Sequence, residues 1–169
     1  MPAEFATAGV VGIGTMGSGI AEVLARSGVQ VIGIEKDADS AARAQATIDG
    51  STQRAVAGGK LTESERSELL GRITIGTDLS AVADVDLVIE SVPEDLELKQ
   101  QIFTSLGQVT RPDAVLATNT SSLSVTEISV STANPRRVLG LHFFNPAPVQ
   151  GFVEVVRTVV TDQTAVDSV

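Results

Sequence analysis

A glycine-rich turn between a predicted strand and a predicted helix constrains the fold of this chain more than any other feature of its sequence. The run GIGTMG occupies positions 12–17 and directly follows an apolar stretch. In this spacing Gly12 permits a tight turn, Gly14 lets a pyrophosphate approach the backbone, and Gly17 lets the helix pack closely on the strand. The first turn of such a helix presents unpaired N–H groups and a positive dipole end, which attract an anion. The spacing therefore predicts a dinucleotide site.

An acidic residue ends the second predicted strand, at the position where such folds bind a ribose. The apolar run 29–34 is followed by Glu35, which lies 18 residues beyond Gly17, close to the spacing of about 20 that the motif requires. A carboxylate there accepts hydrogen bonds from ribose hydroxyls and repels a 2′-phosphate, so Glu35 predicts NAD rather than NADP. Taken alone, the glycines could mark an ordinary turn and Glu35 could be a solvated acid. Their combination favours the cofactor site.

Short apolar runs alternate with longer helix-like segments along the rest of the chain. The predicted strands cover residues 8–13, 29–35, 72–77, 87–91, 114–117, 138–142 and 152–157. Several are Val/Ile runs without polar alternation, and such strands need cover on both faces of a sheet. The pattern predicts an α/β fold of the Rossmann type, with a doubly wound, mostly parallel sheet in one domain, residues 1–169.

A helical hairpin is predicted as an insertion between the second and third strands. An Ala-rich helix over 40–57 meets Gly58 and Gly59, which favour its end. Thr62, followed three residues later by Glu65, forms a capping box that begins a second helix. The insertion lengthens one crossover connection of the sheet.

Composition excludes several classes of function. The 169 residues carry a net charge of −9, which opposes the basic surface of nucleic-acid-binding proteins. The absence of cysteine excludes disulfides, thiolate catalysis and iron–sulfur ligation, and a cytoplasmic location is the default expectation. Residues 1–5 carry an acid and no basic segment, and no apolar run reaches the length of a membrane span, so we expect neither targeting nor membrane insertion.

The single histidine of the chain is the second candidate for chemistry. His142 is the last residue of the sixth predicted strand, at the end of the sheet where this fold places its reactive groups. Glu154 lies on the next predicted strand and could pair with the imidazole if the two strands are neighbours. The alternative is a hydrogen-bonded structural histidine, and geometry must decide between the two.

Four blocks of sequence resemble the L-3-hydroxyacyl-CoA dehydrogenases, most closely their bacterial 3-hydroxybutyryl-CoA dehydrogenase members. They are VGIGTMGSGIA at 11–21, VIESVPED at 88–95, NTSSL at 119–123 and GLHFFNP at 140–146. The blocks extend over nearly the whole chain. The resemblance implies the NAD-binding domain of an oxidoreductase of fatty acid metabolism (beta-oxidation), which converts the 3-hydroxyl of a short-chain acyl-CoA to a ketone.

The resemblance also implies a catalytic set of His142, Glu154 and Ser121. His142 would be the general base that takes the proton of the substrate hydroxyl, and Glu154 would orient the imidazole. Ser121 would lie beside the substrate hydroxyl and the nicotinamide. From the residues alone, a turn or helix-cap serine is the favoured interpretation of Ser121.

Further binding positions follow from the same resemblance. The cofactor would contact Gly12, Gly14, Thr15, Met16, Gly17, Glu35, Glu94, Lys99, Asn119, Ser121 and Asn145. The acyl-CoA would contact Ser51, Ser121 and Asn145. Judged without the resemblance, Glu94 could be an exposed acid at a helix start and Lys99 a solvated lysine.

The sequence departs from the family in two places. QGF at 150–152 replaces a bulkier apolar or basic stretch, which would alter the acyl pocket. The family continues with a helical domain that closes over the acyl-CoA and forms a homodimer, and we expect this chain to lack it, with 161–169 as the start of the connecting helix. Two alternatives stay open: a dehydrogenase of a free hydroxy or sugar acid, and a nucleotide-binding or structural protein without turnover, as in related lens crystallins.

Overall fold

The predicted strands form one seven-stranded sheet in the computed structural model, which describes residues 5–169. The strands are β1 Thr7–Val11, β2 Gln30–Ile34, β3 Ile73–Gly76, β4 Leu87–Glu90, β5 Val115–Thr118, β6 Val138–Phe143 and β7 Val153–Val156. Their order in the sheet is β3-β2-β1-β4-β5-β6-β7. All neighbouring pairs are parallel except β6 and β7, which are antiparallel. The prediction of a doubly wound, mostly parallel sheet is confirmed.

Six α-helices are described with this sheet. They are α1 Thr15–Arg26, α2 Ala38–Ala57, α3 Glu63–Gly71, α4 Leu96–Val109, α5 Val125–Ser129 and α6 Gln163–Asp167. Successive residues of a strand point to opposite faces, and accordingly Val10 and Val11 belong to two different hydrophobic clusters. The first cluster contains buried residues of α1, α2 and α3, and the second contains those of α4 and α5. Both faces of the sheet are therefore covered.

The inserted helical hairpin is also confirmed. α2 ends at Ala57 with Gly58 as its C-cap, and Gly59 has a φ of 69°, a conformation that glycine adopts without strain. At the start of α3 the Thr62 N–H donates to the Glu65 side chain over 2.7 Å, and the Glu65 N–H donates to the Thr62 hydroxyl over 3.2 Å. The Thr62 N–H and the Thr62 hydroxyl both donate to the Glu65 carboxylate, and these two bonds hold the pKa of Glu65 below its ordinary value.

Strand order creates a crevice at the centre of the sheet. The chain proceeds outward from β1 to β2 and β3, then returns to place β4 on the other side of β1. Connections leaving β1 and β4 therefore diverge at the carboxyl ends of these strands, which is where open α/β sheets bind ligands.

The periphery of the sheet differs from its centre. Every residue of β4 and β5 is buried, whereas every residue of β7 is exposed. Residues 163–167 form the short helix α6, within the segment predicted to begin a connecting helix. The prediction about a targeting segment concerns residues 1–5, of which 1–4 lie outside the described residues. Within 5–169, no helix combines the length and apolar character needed to span a membrane.

Candidate active site

A cleft of about 1080 Å³ opens at the carboxyl ends of the central strands. Its walls include Gly12, Gly14, Thr15, Met16, Glu35, Glu94, Lys99, Asn119, Ser121, His142 and Asn145. These residues lie in or beyond the carboxyl ends of five strands, β1, β2, β4, β5 and β6, and all of them were predicted as site residues. The structure thus brings together the glycine run and His142, which lie at least 125 positions apart in the sequence.

Glycine occupies each of the three positions of the loop for a different structural reason. Gly12 has a φ of 85°, and a Cβ there would lie 2.9 Å from the backbone of Ser91. A Cβ on Gly17 would lie 1.9 Å from the carbonyl oxygen of Gly12, so only glycine permits this helix–loop contact. A Cβ on Gly14 would meet no protein atom within 4 Å. The space beside Gly14 is therefore free for a ligand.

The first turn of α1 points at the same space. Its N-cap residue is Gly14, which offers no side-chain cap to the helix. The N–H groups of a first helical turn need acceptors, and here a bound anion fits them. This open cradle, together with the volume of the cleft, fits the pyrophosphate of NAD. Residues of the glycine loop would hold that group through their N–H groups.

Glu35 lies at the carboxyl end of β2, beside the glycine loop. Its Oε1 accepts a hydrogen bond of 2.7 Å from the Ile13 N–H, and its Oε2 accepts one of 3.1 Å from the Lys36 N–H. Each carboxylate oxygen can accept more than one hydrogen bond, so Glu35 retains capacity for a ribose hydroxyl. Its position supports the predicted role.

His142 and Glu154 face each other across the antiparallel pair β6–β7. They are directly opposed in the strand register, and His142 Nδ1 lies 2.8 Å from Glu154 Oε2. A carboxylate only accepts hydrogen bonds, so Nδ1 carries the hydrogen of a neutral imidazole in this pair. Nε2 is then the nitrogen with a free lone pair. This arrangement suits a general base whose ring is held by an acid.

Two phenylalanine rings continue a series of aromatic contacts that begins at the ring of His142. The ring centroid of Phe144 lies 4.4 Å from that of His142, and the centroid of Phe152 lies 4.7 Å from that of Phe144. Phe152 belongs to the QGF segment at 150–152, which was predicted to alter the acyl pocket. Phe144 therefore connects this segment to the ring of His142.

A buried ion pair at the base of the cleft was not singled out by the sequence reasoning. Glu90, the last residue of β4, is fully buried, and its Oε1 accepts a hydrogen bond of 2.6 Å from Lys99 Nζ. The Lys99 side chain is 1 % exposed, so the alternative of a solvated lysine is wrong. An acid that ends an otherwise apolar run, as Glu90 does in LVIE, is the signal that could have identified the pair.

Glu94 organises the loop that carries Ser121. Its Oε1 accepts hydrogen bonds from the Ser121 and Ser122 N–H groups over 3.1 and 3.2 Å, and from the Thr120 hydroxyl. Burial raises the pKa of Glu94, but the bond from Thr120 and the charge of Lys99 outweigh it, and the net pKa lies below its ordinary value. Glu94 is therefore ionised at neutral pH.

The remaining predicted residues divide into two groups. Asn119 lines the cleft, and its Oδ1 accepts a hydrogen bond of 2.8 Å from the Phe143 N–H, which joins the ends of β5 and β6. Asn145 also lines the cleft. Ser51 is not among the lining residues: it lies on α2, and its hydroxyl donates to Glu22 of α1 over 2.6 Å. The structure does not bring Ser51 together with the other site residues.

Comparison with known proteins gives consistent matches. A family model described as the NAD-binding domain of 3-hydroxyacyl-CoA dehydrogenase matches residues 7–169. The 3-hydroxybutyryl-CoA dehydrogenase of Mycobacterium tuberculosis is 52 % identical over 158 residues, which cover 93 % of this chain and 55 % of that protein. The 3-hydroxyadipyl-CoA dehydrogenase of Escherichia coli is 45 % identical over 161 residues, covering 95 % of this chain and 34 % of that protein.

Solved structures agree with the sequence matches. The crystal structure of M. tuberculosis FadB2 superposes with a TM-score of 0.97 at 49 % identity, covering 98 % of this chain and 59 % of that one. The chain thus spans about half the length of the mycobacterial relatives it matches.

Proposed function

The chain belongs to the 3-hydroxyacyl-CoA dehydrogenase family as its NAD-binding domain, and from that membership we propose that it serves the oxidation of a short-chain 3-hydroxyacyl-CoA, with 3-hydroxybutyryl-CoA as the preferred substrate. One observation carries the proposal. His142, which is paired with Glu154, lines the same cleft as the glycine loop, so a base and a dinucleotide would meet there.

His142 is assigned the role of general base. Its Nε2 takes the proton of the 3-hydroxyl, while Nδ1–H remains bonded to Glu154. The adjacent carboxylate stabilises the imidazolium that forms, because opposite charges a short distance apart attract. Bound NAD⁺ supplies the acceptor for the hydride that leaves the same carbon. One proton and one hydride leave the substrate, which becomes the 3-ketoacyl-CoA.

We assign Ser121 a position beside the substrate hydroxyl, on the side of the cleft where the nicotinamide would bind. Its backbone N–H is bonded to Glu94, so its hydroxyl is carried on a loop with a defined position. Glu35 and the glycine loop are assigned to the adenosine half of NAD. Glu94, Asn119 and Asn145 complete the cofactor wall, and Ser51 remains a proposed contact of the CoA moiety on the helical hairpin.

Turnover is proposed to need a second, helical domain. The cleft of the described residues is open to solvent, and catalysis requires a substrate held in register and shielded from water. The valines exposed on β7 support a further covering element, because contiguous exposed apolar surface marks interaction sites. We assign homodimer formation to that domain, and we propose a cytoplasmic location for the protein.

A chimera tests the proposal. The 169-residue chain is compared with a fusion in which it replaces the matching segment of the mycobacterial relative. Both proteins are assayed for NADH formation with 3-hydroxybutyryl-CoA and with free 3-hydroxybutyrate. We expect the chain alone to bind NADH without turnover and the chimera to oxidise the CoA ester.

Three results would contradict parts of the proposal. Preference of the chimera for the free acid would favour the alternative substrate class. An inactive chimera that still binds NADH would favour a non-catalytic role. Full activity of the chain alone would remove the need for a second domain.

A further inference from the structure

The histidine pair shares its face of the sheet with two phenylalanine side chains. In the antiparallel register of β6 and β7, His142 lies opposite Glu154. Side chains alternate between the two faces of a strand, so Phe144 and Phe152, each two residues from a member of this pair, lie on the same face. The ring contacts agree, because the centroid of Phe144 lies 4.4 Å from that of His142 and 4.7 Å from that of Phe152. A row of three rings therefore extends along this face from the proposed base.

The same face is closed on one side of the base and open on the other. On the closed side it carries Gly140, where an added Cβ would lie 3.0 Å from Val156 Cβ and 3.2 Å from Val125 Cγ2. Strand β7 and helix α5 therefore fill the space there. On the open side Phe144 lines the cleft, and Phe152 is 59 % exposed. A substrate chain that follows this face from the base passes over the two phenylalanine rings.

The two carbon substituents of the reacting centre differ in polarity. One is the thioester arm, whose carbonyl oxygen needs a hydrogen-bond donor, and the other is the alkyl tail of the acyl group. Phenylalanine rings offer a large apolar contact surface and no donor, so they suit the tail. In a 3-hydroxybutyryl group the tail is a single methyl group, which would contact Phe144. A six-carbon acyl group has two further carbons, which would extend toward Phe152.

The charges around this face oppose a tail that ends in an anion. Glu154 lies two residues from Phe152 on the same face of β7, and its side chain is 57 % exposed. Among the cleft-lining residues that the structure describes, the lysines are Lys36 and Lys99, and there is no arginine. Lys36 follows β2, and Lys99 Nζ is bonded to Glu90 at the end of β4, so both lie at strands other than β6 and β7. A terminal carboxylate over the phenylalanine rings would approach the charge of Glu154.

We propose that Phe144 and Phe152 form an acyl platform, which extends the substrate range to uncharged six-carbon acyl groups and discriminates against acyl groups that end in a carboxylate. Phe152 is the specificity-determining residue, because only a tail longer than that of 3-hydroxybutyryl-CoA reaches its ring. The inference rests on the proposed function, since it takes His142 to bind the 3-hydroxyl. Relatives of this chain are named for each kind of tail, one for 3-hydroxybutyryl-CoA and one for 3-hydroxyadipyl-CoA.

Two six-carbon substrates provide a matched comparison. 3-Hydroxyhexanoyl-CoA and 3-hydroxyadipyl-CoA have acyl chains of equal length, and only the second ends in a carboxylate. The chimera with the second domain of the mycobacterial relative is assayed for kcat/KM with both esters and with 3-hydroxybutyryl-CoA. The variants are Phe152→Ala and Phe152→Lys, and the control is Val130→Ala, which shortens another exposed apolar side chain at the end of α5. Melting temperatures check that each protein is folded.

The expected effects appear in the ratios of kcat/KM between substrates. The unaltered chimera should prefer the hexanoyl ester to the adipyl ester by about tenfold or more, because a carboxylate loses hydration against aromatic rings. Phe152→Ala should lower the hexanoyl-to-butyryl ratio by about tenfold, since each buried methylene contributes about fourfold. Phe152→Lys should raise the adipyl-to-hexanoyl ratio by about tenfold, because the hexanoyl tail loses an apolar contact and the adipyl carboxylate gains a cation. Val130→Ala should change none of these ratios.

Other patterns would overturn the inference. Equal losses with all three esters in Phe152→Ala would mean that the ring packs against the second domain and not against the tail. Activity that is the same for every ester in Phe152→Ala and the unaltered chimera would mean that the ring has no contact with substrate. A preference of the unaltered chimera for the adipyl ester would mean that the second domain supplies a cation to the tail. A chimera that oxidises none of the CoA esters would contradict the proposed function itself, and the inference with it.

Discussion

The two ends of the cleft are constructed in different ways. At the β1–α1 end, the binding surface is backbone, produced by three glycines within residues 12–17 and by the first turn of one helix. At the β6–β7 end, side chains from separate strands meet, as His142 does with Glu154 and Asn119 with the Phe143 N–H. Backbone N–H groups recognise any suitable anion, whereas a positioned imidazole performs one kind of chemistry. Damage to the first end should therefore abolish binding, and damage to the second should abolish turnover alone.

The largest expected effect is the loss of NADH binding in Gly14→Val. The added side chain meets no protein atom within 4 Å of its Cβ and extends into the space where the pyrophosphate would lie. The protein should fold normally and show no measurable NADH fluorescence change. Gly71→Val, at another glycine with open space around it, serves as the control. Retained NADH binding in Gly14→Val would disprove the assignment of this loop.

His142→Gln should impair turnover at the β6–β7 end of the cleft without weakening cofactor binding. In the active chimera we expect turnover to fall by about a hundredfold to ten-thousandfold, which is the usual contribution of a general base. NADH affinity should stay within experimental error, because the glycine loop is untouched. A variant with normal turnover and a lowered melting temperature would instead identify a structural histidine.

Glu154→Gln should have a smaller effect in the same direction. The amide keeps the shape of the side chain but cannot stabilise the imidazolium, and we expect turnover to fall by about tenfold to hundredfold. The control is Glu97→Gln, which makes the same substitution at an exposed acid at the start of α4, away from the His142–Glu154 pair. Equal turnover in these two variants would argue that Glu154 has no part in catalysis.

Glu35 allows a finer test of the backbone end. The wild type should bind NADH more tightly than NADPH, because the Glu35 carboxylate would repel a 2′-phosphate. Glu35→Gln should reduce that preference by about tenfold, mainly through improved NADPH binding. Calorimetric titration of both cofactors measures the ratio. NADPH binding as tight as NADH binding in the wild type would contradict the ribose assignment.

The smallest expected effect concerns acid stability. The pKa of Glu94 is lowered in the folded protein, so its ionised form contributes stability above its unfolded pKa, and that contribution disappears as the pH falls through the lower folded value. Glu94→Gln cannot titrate, and its stability should decline less steeply than that of the wild type below about pH 4.5. Urea unfolding at several pH values measures the difference. Parallel pH curves would show that Glu94 is not held as described.

Much of the fold was predictable because its signals are local. The strand positions agree with the predicted runs to within one or two residues at most ends, since apolar segments of this length and composition have few other solutions. The capping box at Thr62 and the glycines at 58–59 set the hairpin ends through contacts between near neighbours. The glycine loop is likewise a local structure. For these features, short-range sterics and hydrogen bonding determine the conformation.

Strand order and register, by contrast, were decided by the tertiary structure. The sequence identified His142 and Glu154 as candidates, but only the antiparallel pairing of β6 with β7 places them directly opposite each other. The same holds for Glu90 and Lys99. Their sequence positions do not distinguish them from solvent-exposed charged residues, and only the packing of β4, β5 and α4 buries them as a pair. A local pattern fixes which residues share an element, whereas the energy of a long-range contact depends on packing between elements, which no short segment encodes.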